Sequence, residues 1–475
     1  MEANATPAPH RLYKHPITQQ YIADVFPMGL DSLLFGNMRG ELWLLPGKDP
    51  TQGLCYRQKQ GNDDDNNNNN NGCGPGVAVV LGAGNQTPVA ALDILHVLVA
   101  TNHVVVCKMN PVNEYMGPFL RRAFQPLVDQ GYVEFVYGGG AEGAAACNHP
   151  KIDAVHLTGS AATYDAIVWQ GQPKTPGTPP PFTKHVSAEL GCVTPVIIVP
   201  GRWSDKDLEY HADTVVTALA FNAGHNCLKA EIVVTWAGWD QRDAFLDALR
   251  RRLQDTPTRT AFYPGSDAKF AAFKKKFPSA EELGNSSSSE TKKPKWLLQA
   301  GLSEDQVDGQ VENWCGVLQE VSLPSDTPAE YLARSVNFAN ENCWGTLSCM
   351  VIAHPTSQRS LQKEFDAAIQ NLEFGTICIN VPGTIGFGAT RLAWGGWPGA
   401  SSPWDVGSGD AKVHNTLLFD HVQKSVLWGA WRIHPHPFWS ISHRNGEAVS
   451  RGALKFMANP NLLSMLSLAA QAIKG

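Results

Sequence analysis

The stretch Val77-Ala-Val-Val-Leu-Gly-Ala-Gly-Asn-Gln-Thr-Pro88 decides how the first half of the chain folds. Five apolar residues in succession predict a strand buried on both faces, and glycines at 82 and 84 then let the backbone turn out of it. Helical spacing follows over residues 87–100. The alternation continues: strand-like at 103–107, helical at 114–130, strand-like at 132–137 and again at 153–157. Strands buried on both faces and joined by helices of ten or more residues form a parallel, doubly wound sheet, so the fold class is α/β. Such a sheet binds ligands beyond the carboxyl ends of its strands. Residues 82–85, Lys108, residues 138–143 and the pair Gly159-Ser160 occupy those positions. Gly138, Gly140 and Gly143 satisfy a GxGxxG pattern, but no acidic residue ends the next strand where a ribose would be gripped, and a tight turn explains the glycines equally well.

A second stretch, Phe221-Asn-Ala-Gly-His-Asn-Cys-Leu228, carries the chemistry. It sets Cys227 in a short loop between a predicted helix at 204–221 and a predicted buried strand at 231–235, where a side chain is held rigidly yet can be reached. A lone free cysteine is usually a small buried hydrophobe, and the thiolate that reacts needs a base or a lowered pKa. The companion lies upstream in Ser187-Ala-Glu-Leu-Gly191, where Glu189 ends a predicted strand and a glycine lets the chain turn away from it. Glu-Leu-Gly followed at this separation by Asn-x-Gly-x-x-Cys resembles the aldehyde dehydrogenase superfamily, whose general base and nucleophile occupy these two motifs.

The resemblance covers roughly residues 76–426 and implies two doubly wound parallel-sheet, Rossmann-like domains with the active site between them. Expected boundaries are a dinucleotide-binding domain at 1–190, containing a low-complexity insert at 61–75, a catalytic domain at 191–415, and a return segment with a terminal helix at 416–475. The implied roles are Cys227 as nucleophile, Glu189 as general base and Asn85 as oxyanion donor. Lys108 would hold the adenosine ribose, Gly159 and Ser160 would lie by the pyrophosphate, and Glu312, in Glu-Asn-Trp-Cys-Gly-Val-Leu318, would bind the nicotinamide ribose. The implied cofactor is NAD or NADP. The family's glutamate three residues after the lysine is Pro111 here, which leaves NADP open, and its small residue four after the serine is Tyr164. The implied reaction oxidises an aldehyde to a carboxylic acid through a thioester on Cys227. Two alternatives accompany it: a branch that passes the acyl group to coenzyme A, and a catalytically silent binding or scaffold protein on the same fold.

Composition bounds the rest. A chain of 475 residues is too long for one ordinary core, and 43% hydrophobic residues supply apolar surface for two or three. A formal charge of −6, spread without blocks, argues against a nucleic-acid partner. No leader peptide and no membrane span is apparent, and ten cysteines without CxxC pairs suggest a reducing, cytoplasmic setting with no structural metal. The partner expected is a small aldehyde, with a homo-oligomer left open. Residues 1–60 read as packing against the domain that follows them, and the segment beyond 415 as strands added to the first domain or to a neighbouring subunit. Residues 62–72, 171–181 and 284–295 read as surface loops, His434-Pro-His436 as an exposed extended segment, and Trp394, Trp397 and Trp404 as loop residues available to line a pocket.

Overall fold

The computed structural model describes residues 8–29, 31–57, 73–285 and 293–474. Strands β1 (Arg11–Lys14), β2 (Tyr21–Phe26) and β3 (Arg39–Leu44) come first. Then β4 (Val77–Leu81), β5 (Val104–Lys108), β6 (Val133–Val136), β7 (Ala154–Thr158) and β8 (His185–Glu189) form a five-stranded sheet in the order β6-β5-β4-β7-β8, parallel throughout. Its two faces are closed by separate apolar clusters, one containing Ile94 and Val97 of the helix Val89–Ala100, the other Tyr164 and Val168 of the helix Ala161–Val168. Strands covered on both sides cannot alternate polar with apolar, which is why 77–81 reads as a continuous apolar run.

The helix expected over 114–130 is broken. A 3₁₀ turn at Glu114–Met116 leads into the helices Gly117–Ala123 and Gln125–Asp129, each with a proline in its first turn. Pro118 and Pro126 suit helix starts and lack the N–H that a continuous helix would need.

The second sheet has eleven strands. After β9 (Thr194–Ile198) and β10 (Ala230–Trp236) come β11 (Glu281–Leu283), β12 (Trp296–Leu302), β13 (Val317–Leu323), β14 (Ser348–Ile352) and β15 (Thr376–Ile379). A separate two-stranded ribbon pairs β16 (Ala393–Trp394) with β17 (Val413–His414), and β18 (Val422–Trp428) returns to the large sheet. The order is β1-β2-β3-β18-β15-β14-β9-β10-β13-β12-β11. From β18 to β12 the pairing is parallel, whereas β1 to β3 at one edge and β11 at the other run antiparallel.

This corrects the expected boundaries. Residues 11–44 join the large sheet rather than the domain at 77–189, and so does β18, which was expected in the first domain or in a neighbouring subunit. The reason is burial on both faces: Ile22 and Trp43 enter one apolar cluster of the large sheet, and Ala23, Val25, Leu42 and Leu44 enter the other. Residues 171–181 form an exposed connection, while 62–72 and most of 284–295 lie outside the described residues. His436 is half-buried, with Nε2 2.9 Å from both Ser440 Oγ and Ser442 Oγ, so it pins a turn instead of standing exposed. Among the described residues no helix is long and apolar enough to cross a membrane, and no group of His, Cys, Asp and Glu could hold a metal ion.

Candidate active site

Cys227 follows the helix Asp205–Ala220, whose start is fixed by a capping box between Ser204 and Asp207. After the helix, Asn222 and Ala223 both take left-handed backbone angles, φ 54° and 58°, which cost energy in residues with a Cβ. Gly224 has φ +80°, and a Cβ there would stand 2.8 Å from the Cys315 carbonyl carbon, so only glycine passes. Side chains hold this strained loop. Asn226 Nδ2 donates to Phe221 O at 2.8 Å, and Asn222 Nδ2 donates to Asn85 O at 2.7 Å and to His225 O at 3.1 Å. His225, fully buried, pairs Nε2 with Ser266 Oγ at 3.0 Å. Just past the cysteine, Lys229 and Glu231 form an ion pair at 2.5 Å, each 1% exposed, and Glu231 also accepts the Asn313 backbone N–H.

The loop borders a cavity of about 1000 Å³ between the carboxyl ends of the five-stranded sheet and the large sheet. Asn85, Lys108, Gly159, Ser160, Glu189, Cys227 and Glu312 all line it. Every candidate site residue from the sequence is therefore on one wall or another of a single chamber. Cys227 keeps part of its surface open, whereas Glu189 is 3% exposed. Of the three tryptophans expected near a pocket none lines this one. Trp394 is instead fully buried in β16 and donates Nε1–H to Glu189 Oε1 at 3.0 Å.

Burial pushes the Glu189 carboxyl up to about 8; the Trp394 hydrogen bond opposes the shift, the charge on Asp93 adds to it, and the neighbouring Cys227 thiol opposes it. Burial first, then the charges of Glu189 and Glu312, raise the Cys227 thiol well above its ordinary value. Glu312 is likewise pushed up to about 7, by burial and then by Glu231. Burial thus favours the protonated form of all three groups, and the contact between Glu189 and Cys227 sets a carboxyl where it can exchange a proton with the sulfur. Glu312 is anchored by the Trp314 indole N–H at 2.6 Å and the Cys192 backbone N–H at 3.2 Å. It lies against Gly191, where a Cβ would sit 2.3 Å from its carboxylate oxygens. The glycine of Glu-Leu-Gly is needed for that approach.

Two helices start on the wall of the chamber. Ser160 caps Ala161–Val168, its Oγ accepting Thr163 N–H at 3.2 Å, and at the start of Gly140–Asn148 Glu142 accepts Gly139 N–H at 2.7 Å. The GxGxxG glycines thus form the turn into a helix, with Gly140 and Gly143 on the cavity wall. Free N–H groups at a helix start attract anions, and Lys108, 7% exposed, adds a cation beside them. A lysine, a serine-capped helix start and no carboxylate at position 111 suit a pyrophosphate and its ribose.

The sequence profile of the aldehyde dehydrogenase family matches residues 76–273, the part that carries both the Glu189 and the Cys227 motifs. Over those residues, fewer than half of the chain, it is similar to the aldehyde dehydrogenase family. An aldehyde dehydrogenase of Enchytraeus buchholzi is 28% identical over 190 residues, 40% of this chain and 30% of its own. The D-glyceraldehyde dehydrogenase (NADP(+)) of Thermoplasma acidophilum is 27% identical over 133 residues, 28% of this chain and 24% of its own. The matched segment thus spans less than a third of either curated relative. Among solved structures, a Mycobacterium tuberculosis aldehyde dehydrogenase complexed with NAD+ superposes with a TM-score of 0.58 at 19% identity, covering 74% of this chain and 69% of that one. The glyceraldehyde-3-phosphate dehydrogenase GapN of Methanocaldococcus jannaschii, complexed with NADP, gives 0.56 at 15%, covering 75% and 73%. At such identities the superposition is a statement about the aldehyde dehydrogenase fold.

Several residues that line or support the cavity were not assigned those places by the sequence. Trp394 lies 205 positions from Glu189, with no local pattern linking them. Trp314 was within reach, because it stands two residues after Glu312 in the motif already singled out. Tyr263 and Lys269, from the segment preceding β11, complete the wall.

Proposed function

We propose that this protein is an aldehyde dehydrogenase that oxidises an aldehyde to a carboxylic acid with NAD or NADP. The observation that carries this reading is the placement of Glu189 beside Cys227 in one chamber that Lys108 and the Ser160-capped helix start also line. Bound at those residues and at Glu312, an oxidised nicotinamide cofactor supplies the hydride acceptor. The protein's part begins with Glu189 taking the Cys227 proton. The sulfur then attacks the carbonyl carbon, and the oxygen that becomes negative is met by Asn85 Nδ2 and by the Cys227 backbone N–H. Asn85 is held for this by its bond to His225 O at 3.1 Å, which occupies one amide proton and leaves the second free. Loss of hydride leaves a thioester, and Glu189 takes a proton from the water that attacks it. The acid departs, and the proton that Glu189 took from the water returns to the sulfur to restore the thiol.

The test is a panel of aldehydes with NAD or NADP, followed by absorbance of the reduced nicotinamide and by identification of the product. Acid formed without further additions supports hydrolysis. Turnover that requires coenzyme A replaces water as the acceptor. No turnover while cofactor still binds replaces catalysis with a binding or scaffold role.

A further inference from the structure

A buried stripe of polar groups runs away from Glu189 along the sheet, and the reaction proposed above leaves it unused. The register of β7 and β8 sets His156 beside Ser187 and Thr158 beside Glu189, and alternate residues of a strand point to one face, so all four share a face. The helix Val89–Ala100 packs on that face and brings Asp93, 2% exposed, and His96 one turn on. Thr158 Oγ1 donates to Asp93 Oδ2 at 2.9 Å, His156 Nε2 stands 3.5 Å from Asp93 Oδ1, and His156 Nδ1 is 2.9 Å from Ser187 Oγ. At the near end Thr158 and Glu189 line the main chamber. At the far end His156 and Ser187 line a second cavity of about 320 Å³ at the amino end of the same strands, whose lining residues His185 and Asp410 are exposed.

Apolar side chains at 93 and 156 would be cheaper to bury than a carboxylate and an imidazole. The geometry of the pair suggests what they do. His156, 1% exposed, has no hydrogen-bond partner at Nε2, although that nitrogen faces a carboxylate. With the ring proton on Nδ1 and donated to Ser187, Nε2 presents a lone pair to Asp93. One added proton turns the contact into an ion pair, so His156 is placed to receive a proton from the Asp93 side and pass one on through Ser187.

The proposed oxidation loads a proton on Glu189 twice per turnover, once from the Cys227 thiol and once from the attacking water; one returns to the sulfur as the acid departs, so one net proton must leave Glu189, which is itself nearly sealed. We propose that this proton leaves along the stripe, from Glu189 through a chamber water and the Thr158 hydroxyl to Asp93, then to His156, Ser187 and the second cavity. Each hydroxyl and the imidazole gives up one proton as it accepts one, so no charge accumulates between turnovers and no further reactant is required. Asp93 and His156 act through Glu189 and are positioning residues. The inference rests on the aldehyde-oxidation reading of the main chamber.

Stopped-flow and steady-state measurements on the full chain, with an aldehyde the wild type oxidises, separate the two ideas. In His156→Ala the first-turnover appearance of reduced nicotinamide stays within about twofold, while the steady-state rate falls about tenfold or more and is restored by added imidazole. His156→Gln, which can hold Ser187 but cannot carry a proton, shows the same loss and serves if the alanine variant does not fold. Steady-state rates unchanged in His156→Gln overturn the proposal. So does a parallel loss of first turnover and steady state with no response to imidazole. A wild-type chain that reduces neither cofactor with any aldehyde removes the reaction itself, a failure visible before any variant is made.

Discussion

The indole N–H of Trp394 reaches Oε1 of Glu189 at 3.0 Å from a strand 205 residues further along the chain, and both side chains are buried. A hydrogen bond of this kind favours the ionised carboxylate and works against the burial that drives the group up to about 8. Trp394→Phe removes the donor while keeping an aromatic ring. A bond to a charged group contributes about 1.5 to 3 kcal/mol, so Glu189 should rise by about one unit or more. The pH–rate profile for hydrolysis of the acyl-enzyme then moves to the alkaline side by that amount. A profile that stays in place, or moves toward acid, would show that the indole does not act on the ionised form.

Cys227→Ser keeps the shape of the loop and replaces the nucleophile with a far weaker one. Aldehyde oxidation should fall by about a thousandfold or more, while cofactor binding, followed by quenching of tryptophan fluorescence, changes little. Residual activity near the wild-type level would place the covalent chemistry on another residue.

Glu189 should cost the fold stability at high pH. Its ordinary value of 4.5 belongs to the unfolded chain and about 8 to the folded one. Below about pH 4.5 both states hold the proton and no penalty exists; between 4.5 and 8 the unfolded state loses its proton first and stability falls; above 8 the penalty is complete. Glu189→Gln removes it. Thermal midpoints of the variant should exceed those of the wild type at pH 8 to 9, and the gap should close toward pH 4.5. Acyl-enzyme hydrolysis should meanwhile drop about 10² to 10⁴-fold. A gap that widens toward acid contradicts the sign.

The Lys229–Glu231 pair, sealed at 1% exposure on each side, should be sensitive to losing one member. Lys229→Met leaves Glu231 charged and alone and should cost about 3 to 5 kcal/mol of unfolding free energy in urea titrations. Adding Glu231→Gln, which can still accept the Asn313 N–H, should return much of that loss. Additive losses in the double variant would mean that the two side chains do not depend on each other.

How much of this could be read from the chain depended on how local each signal was. The strand at 77–81, the helix at 205–220 and the strand at 230–236 announce themselves through unbroken apolar runs or helical spacing. Glu189 and Cys227 stood out because each sits in a short motif shaped by glycines, one needed for close approach to Glu312 and one for positive φ. The partners that tune them carry no such mark. Trp394, Asp93 and His156 come from three distant elements; Asp93 and His156 look in sequence like ordinary core or surface residues, and Trp394, read as a loop residue available to line a pocket, gave no sign of its bond to Glu189. The break at 117–129 was legible in Pro118 and Pro126, but helical spacing across the segment masked it. The membership of β1 to β3 and β18 in the large sheet could not be read at all, because burial on both faces does not say against which sheet.

Strand β18 is the seam of the large sheet: it meets β15 in parallel on one side and β3 antiparallel on the other. A ribosome making this chain has therefore already released the segments bearing Glu189 and Cys227 before the piece that joins β1, β2 and β3 to the rest exists. The early strands must wait, half-dressed, for a latecomer. Assembly of the reactive chamber's larger wall is in this sense a late event in biosynthesis, and shortening the chain before residue 428 would orphan its beginning as surely as its end.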